Sequence, residues 1–298
     1  MSVIAKTDHI GAGKAAIRPH RSVSAHETYA QSSKSIFLEW NQMTNFVRTL
    51  LCLGAAIFTT NAAQAEDRED KESGNHIKVG AGMLWQDAPF NQARTETFPL
   101  PMISVRQGVY YFETAETGVH FEQDFKGIKP SIELFVAARG TSGQDRQKLT
   151  ADAGARISLA TDFGTLSGAF RHDITGKFNG SEFTARYSVP ITTGRFTVTP
   201  AVQASWLDTR TANYMYGITA EQRAKMISKR RSVVLPVAPI TENAVNLGGD
   251  VSMAFQLTER LTIIGVLGGA YLDKSIHRSI AIDNKWECQG IFGIAYRF

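Results

Sequence analysis

From His76 onward, apolar and polar residues alternate with a period of two. The clearest stretch is Arg195 to Trp206. Phe196, Val198, Pro200, Val202, Ala204 and Trp206 fall on one face, and Arg195, Thr197, Thr199, Gln203 and Ser205 on the other. Phe183, Ala185, Tyr187 and Val189 alternate in the same way with Thr184, Arg186 and Ser188, and Leu166, Gly168 and Phe170 with Ser167 and Arg171. Successive side chains of a strand point to opposite faces, so this period predicts strands with one apolar face. Read along the chain, it predicts about twelve: 76–86, 97–106, 108–114, 117–124, 130–138, 149–161, 164–173, 182–190, 195–207, 244–257, 260–272 and 286–298. Most exceed the ~5–6 residues of an average soluble strand and match the roughly 9–11 that cross a bilayer at a tilt.

The connections sharpen this reading. Every second connection is short: 106–108, 125–129, 161–164, 191–194 and 258–259. The others are mostly long: 86–96, 139–148, 173–181, 208–243 and 273–285, with only the one at Ala115-Glu116 short. Tight turns at one end and long loops at the other are the habit of bacterial outer-membrane barrels, whose turns are periplasmic. An even strand count also fits. The fold class predicted is therefore all-β: a transmembrane, antiparallel, up-and-down barrel occupying 76–298. It carries one long extracellular loop with a short helix. The closing strand has Cys288, Gly290, Phe292, Ile294, Tyr296 and Phe298 on one face. Alternating apolar residues ending on an aromatic terminus predict an assembly signal, Phe292, Ile294, Tyr296 and Phe298, read by the barrel assembly machinery.

The residues ahead of the barrel behave differently. Met43 to Ala65 combines Arg48, an apolar run from Leu50 to Phe58 and the small-x-small site Ala63-Gln64-Ala65. An acidic-rich run, Glu66 to Asp70, follows. This is the pattern of a secretory signal peptide cleaved near Ala65. Residues 1–42 are then an extension that precedes the true start at Met43, and 66–75 a short periplasmic segment. No run of 18 or more apolar residues predicts a transmembrane helix.

Charge and composition change the picture little. The sequence pI of about 9.0 suggests a basic partner-binding protein. Residues 1–65, however, hold six basic residues against three acidic, leaving 26 basic and 25 acidic in the rest. A nearly neutral body argues against nucleic-acid binding, which needs a concentrated basic face. Of two cysteines, Cys52 lies in the leader and Cys288 reads as a small apolar residue. No Gly-x-Ser-x-Gly, His-Glu-x-x-His or Cys-x-x-Cys occurs, so neither enzyme nor cofactor is predicted. His172-Asp173 at a strand's outer end reads as a solvated rim pair; a lipid-modifying enzyme is the remote alternative. Arg156, Arg171, Arg186, Arg195 and Glu133 lie on polar faces, and either plug or line a lumen that twelve strands make wide enough for a narrow pore. Trp85, Trp206, Tyr214, Tyr216, Tyr271 and Trp286 are candidates for interfacial aromatic girdles.

The loop 208–243 is the most distinctive segment. Thr219 and Gln222 predict a capping box at the start of a helix over 220–228. Lys225, Lys229, Arg230 and Arg231 follow as candidate contacts for lipopolysaccharide phosphates, or as cations complementing the helix end.

Three stretches resemble the MipA/OmpV family of MltA-interacting outer-membrane proteins. The first is Phe98-Pro99-Leu100-Pro101-Met102-Ile103-Ser104-Val105 with Gly108 to Phe112 and Gly118-Val119. The second is the loop Asn213-Tyr214-Met215-Tyr216-Gly217-Ile218-Thr219-Ala220-Glu221-Gln222, the most specific of the three. The third is Gly290 to Phe298. One departure is Arg278-Ser279-Ile280, where family members often carry Asp-Ser-Pro. The resemblance implies an outer-membrane scaffold bridging a lytic transglycosylase and a penicillin-binding protein. A porin-like role is the alternative.

Overall fold

A computed structural model describes residues 75–140, 149–231 and 233–298. The expected extension 1–42, the leader 43–65 with its cleavage site and nearly all of the segment 66–75 lie outside the described residues.

The strands are β1 (His76–Asp87), β2 (Glu96–Gln107), β3 (Tyr110–Glu113), β4 (Glu116–Glu122), β5 (Lys129–Arg139), β6 (Thr150–Thr161), β7 (Gly164–Asp173), β8 (Ser181–Ser188), β9 (Ile191–Thr193), β10 (Phe196–Leu207), β11 (Ala244–Gln256), β12 (Leu261–Tyr271) and β13 (Trp286–Arg297). Three helices sit in the loops: α1 (Thr209–Tyr216), α2 (Ala220–Ser228) and α3 (Lys274–His277). Each strand pairs antiparallel with its sequence neighbours, except that β8 and β9 both pair with β10 and not with each other, and β1 also pairs with β13, from Lys78↔Arg297 to Asp87↔Cys288. That pairing closes a barrel of twelve strands with one extra, and closure leaves no free edges at the join.

The extra strand corrects the expected single strand 182–190 and the turn 191–194. β8 stops at Ser188↔Ala201, and β9 resumes at Ile191↔Val198 along the same partner. Pro190 and Pro200 fall in the interruption, and neither has an N–H to give the ladder. The expectation of one loop helix is also too low. α1 and α3 start at Asp208 and Asp273, whose carboxylates accept from the N–H groups of Thr211 and Ser275. Asp is a strong N-cap, but both helices are too short to show an apolar period.

The two faces of the wall separate as the alternation predicts. On β10, Phe196, Val202 and Trp206 are exposed outward, while Thr197, Thr199, Gln203 and Ser205 are buried inward. On β13, Phe292, Ile294 and Tyr296 point outward and Gln289, Ile291 and Ala295 inward. Phe298 follows the strand and is exposed. Leu84, Leu100, Ile264, Val266, Ile291 and Ala295 form an apolar lumen wall on β1, β2, β12 and β13. The lumen beside β3 to β8 is charged instead.

At the loop end, three of the long connections pack together. Phe90, Leu207, Ala212, Tyr216, Ile218, Met226, Leu235, Leu272, Ile276 and Ile282 belong to one buried apolar cluster. Ala212, Ile218, Leu272 and Ile276 have no exposed surface. Apart from Leu207 at the end of β10, these residues come from the loops 88–95, 208–243 and 272–285, so three loops share one core. The loop end therefore carries a folded cap.

The exceptional short connection has a structural cause. β3 pairs with β2 only from Gln107↔Tyr110 to Ser104↔Glu113. The hairpin turns at Thr114-Ala115 while β2 continues to Glu96, so this connection lies partway up the wall and never reaches the cap.

Candidate functional site: the lumen network and its cap

The inward polar positions of β4 to β11 form ion pairs. Near the cap, Arg139 Nε donates to Asp152 Oδ2 at 2.5 Å and its Nη2 donates to Glu182 Oε2 at 2.6 Å. Deeper, Arg156 donates through Nη1 and Nη2 to the two oxygens of Glu116, both at 3.1 Å, and also to Glu133. Tyr111 donates its hydroxyl to Glu116 at 2.9 Å, and His120 Nδ1 lies 3.0 Å from Glu133 Oε1. Arg171 approaches Glu116 at 3.7 Å. Across β10, Arg186 pairs with Asp250 through both terminal nitrogens, one at 3.0 Å.

Packing holds these groups in place. The guanidinium carbons of Arg156 and Arg171 lie 4.8 Å and 5.2 Å from the centre of the Phe135 ring. That ring lies against Gly154, where an added Cβ would come within 2.5 Å of it. Only glycine on the neighbouring strand leaves room for the stack. Forked guanidinium–carboxylate pairing is among the strongest polar contacts, and in a lumen it fixes long side chains that would otherwise sweep the space.

Of the lumen residues expected from sequence, Arg156, Arg171, Arg186 and Glu133 join this network. Arg195 does not. It sits at the turn end, exposed, donating to the Leu257 carbonyl at 3.3 Å. Glu116, Asp152, Glu182 and Asp250 were missed, although each lies at an inward position by the two-residue period. Their identity as partners depends on which strands become neighbours.

The segment 213–222 ties the cap to this network. Tyr214 stacks on Phe178 of the β7–β8 loop, with ring centres 4.3 Å apart. Arg139 Nη1 donates to Met215 Sδ at 3.9 Å. Tyr216 donates its hydroxyl to Glu287 on β13 at 2.9 Å and accepts from Asn246 Nδ2 on β11 at 3.4 Å. Burial and the Glu287 carboxylate hold the Tyr216 phenol well above its ordinary range, so it stays a neutral donor. Tyr214 and Tyr216 are therefore internal ties, correcting their expected place in an aromatic girdle. Trp85, Trp206, Tyr271 and Trp286 do lie outward near the loop end, with Tyr271 and Trp286 in edge contact at 5.3 Å. Gly217 is required for this arrangement. A Cβ there would meet Asn213 Oδ1 at 2.0 Å, and that oxygen accepts the Ile240 N–H at 2.9 Å.

Residues 79–298 match the family described as MltA-interacting protein MipA. The chain belongs to the MipA family. The MltA-interacting protein of Escherichia coli (strain K12) is 23% identical over 260 residues, covering 84% of this chain and 98% of that protein. The putative outer membrane protein YiaT of the same strain is 21% identical over 262 residues, with the same two coverages. Among solved structures, a loop-deletion mutant of OmpT, an outer membrane protein of Vibrio cholerae, is similar with a TM-score of 0.37. It is 4% identical and covers 76% of this chain and 100% of its own. This MipA-family chain is an outer-membrane barrel, and its family is named for an interaction.

In this MipA barrel, α2 has the capping box that its sequence predicts. Thr219 accepts from the Gln222 N–H at 3.2 Å, and Gln222 Oε1 accepts from the Thr219 N–H at 2.7 Å. Met226 is buried in the cap, which turns Lys225, Lys229 and Arg230 to the surface, with Arg231 half-buried and Glu221 exposed. His172 Nδ1 lies 2.9 Å from Ser181 Oγ on the exposed face. Asp173 turns away instead and accepts the N–H groups of Thr175, Phe178 and Asn179, so it orders its own loop. Among the described residues, no group of three or more His, Cys, Asp or Glu is placed to hold a metal ion.

Proposed function

We propose that this barrel is a membrane anchor, blocked along its axis, that docks a murein-cutting lytic transglycosylase and, through it, a penicillin-binding protein on the periplasmic side. One observation carries the first half. α1 touches opposite walls of the mouth, through Met215 to Arg139 on β5 and through Tyr216 to Glu287 on β13. In the ring, β1 to β4 separate those strands on one side and β6 to β12 on the other. A helix tied to both walls obstructs axial flow. The relative's name, MltA-interacting protein, supports the second half.

Planar-bilayer recording of the refolded protein tests the anchor reading, and silence is the expected result. Stable single-channel steps would instead favour a porin-like route for small solutes. Co-purification of a lytic transglycosylase from cross-linked envelopes tests the docking reading, and its absence would sink it.

The surface features fit the same setting. The exposed cations Lys225, Lys229 and Arg230, with Arg231 beside them, are proposed to contact lipopolysaccharide phosphates on the outer side. The outward row Phe292, Ile294, Tyr296 and Phe298 is proposed as the signal taken by the barrel assembly machinery.

A further inference from the structure

Among the described residues, the barrel wall is incomplete between β2 and β5. Thr114 N–H donates to the Ile103 carbonyl at 2.7 Å, and Ile103 N–H donates to Thr114 Oγ1 at 3.1 Å. Beyond that contact, β2 keeps β1 on one edge but, among the described residues, has no strand on the other. The two strands missing there correspond to three strand spacings, roughly 14 Å of wall.

The sequence of β2 suits an open edge. Both backbone groups of Ile103 point to the hairpin side, and residues of an antiparallel strand address their two edges alternately. Thr97, Pro99 and Pro101 therefore address the unpaired edge. Two of these three have no N–H to leave unsatisfied. Proline is confined to such edges, and an orphan N–H facing hydrocarbon is costly. The edge also lies at a defined depth. Thr97 pairs with Trp85, an outward aromatic near the loop end, so the open stretch runs from that aromatic level down into the wall.

Two chemistries meet behind the opening. The inward residues of β2, Phe98, Leu100 and Met102, pack onto the apolar lumen wall of Leu84 and Ile291. At the foot of the opening stands Glu116, the first residue of β4, with Arg156 and Arg171 beyond it. Arg171 is the least engaged of the network arginines, held by the 3.7 Å contact to Glu116 and the Phe135 ring.

We propose that this opening is a lateral port admitting the acyl chain of an anionic amphiphile from the outer leaflet. The chain lies along Leu84, Leu100 and Ile291, and the anionic head reaches Arg171. An axial cap and a lateral port are compatible, because the port opens through the wall below the cap.

A palmitate bearing a diazirine near its chain end, photolysed with refolded wild-type protein in detergent, tests this directly. Inward and outward residues alternate, so the parity of the labelled positions is decisive. The expected labels are on Leu84, Leu100, Met102 or Ile291, displaced by unlabelled palmitate. Labels confined to outward residues such as Val79, Met83 and Phe292 would show boundary lipid only and overturn the port, as would no labelling at all. A covalent dimer through 97–101 would show that a second copy covers the edge, and would also overturn it. Arg171→Gln, checked for heat-modifiable migration, is expected to weaken palmitate binding by a factor on the order of ten, the usual loss for a charge-assisted contact. Unchanged binding in that variant would overturn the headgroup assignment. None of these readings depends on transglycosylase docking.

Discussion

Single residues decide whether the cap closes. Gly217 tolerates no Cβ beside Asn213 Oδ1, and the Asn213 side chain also holds the Ile240 N–H. Gly217→Ala must break that contact or move α1. It is expected to cost about 1–3 kcal/mol locally and to expose 208–243 to trypsin, while the barrel still migrates as a folded band. Asp273 offers a pH test. Burial works against its ionisation, but the N–H groups of Ser275 and Val245 and the Ser275 hydroxyl outweigh it and hold the carboxyl below its ordinary range. A lowered folded value means that stability is present above the unfolded value of about 3.9 and is lost as pH falls through the folded one. Asp273→Asn keeps an N-cap acceptor, so it is expected to flatten this acid loss while costing under ~1 kcal/mol at pH 7. Urea midpoints at pH 7 and pH 3 measure both. Phe298→Ser removes the aromatic end of the last strand. Less folded barrel in isolated outer membranes is expected, and an unchanged amount would argue against the assembly signal.

Elements show how much a local pattern can say. The two-residue period places the strands of the barrel with boundaries near those observed, because each strand must present lipid and lumen in turn. α2 is readable from Thr219 and Gln222, a purely local signature. α1 and α3 are not, since eight and four residues carry no periodic stripe. β9 is separated from β8 by an interruption at Pro190 and Pro200 that shows its effect only when both segments lie along β10. Partner choice among charges lies equally beyond local reading: Arg186 finds Asp250 because β10 lies between β8 and β11. Arg186→Leu should leave Asp250 buried and unpaired, at roughly 3–5 kcal/mol, while the double change to leucine should recover most of the loss. A double-mutant cycle by urea unfolding in vesicles reports the difference. Additive losses would show that the pair contributes no coupling.

At the scale of the whole molecule, the cap and the wall have separable roles. Deleting 210–240 removes α1 and its ties to both walls while sparing every strand. Conductance absent from the wild type is expected to appear in that deletion. Continued silence would place the block in the lumen network rather than the cap. N-terminal sequencing of the mature protein is expected to begin at Glu66.

By itself the sequence determined the barrel, the alternation of its faces, the position of most strands, the capped helix α2 and the family resemblance. Each follows from short-range rules: a period, a cap, a motif. Only the tertiary structure decided that three of the long loops pack into one cap, that Tyr214 and Tyr216 tie that cap rather than form a girdle, and that a short hairpin leaves one edge of β2 without a strand among the described residues. Those outcomes depend on which distant segments become neighbours around a closed ring. A period of two records which face a side chain takes, and carries no information about what it meets there.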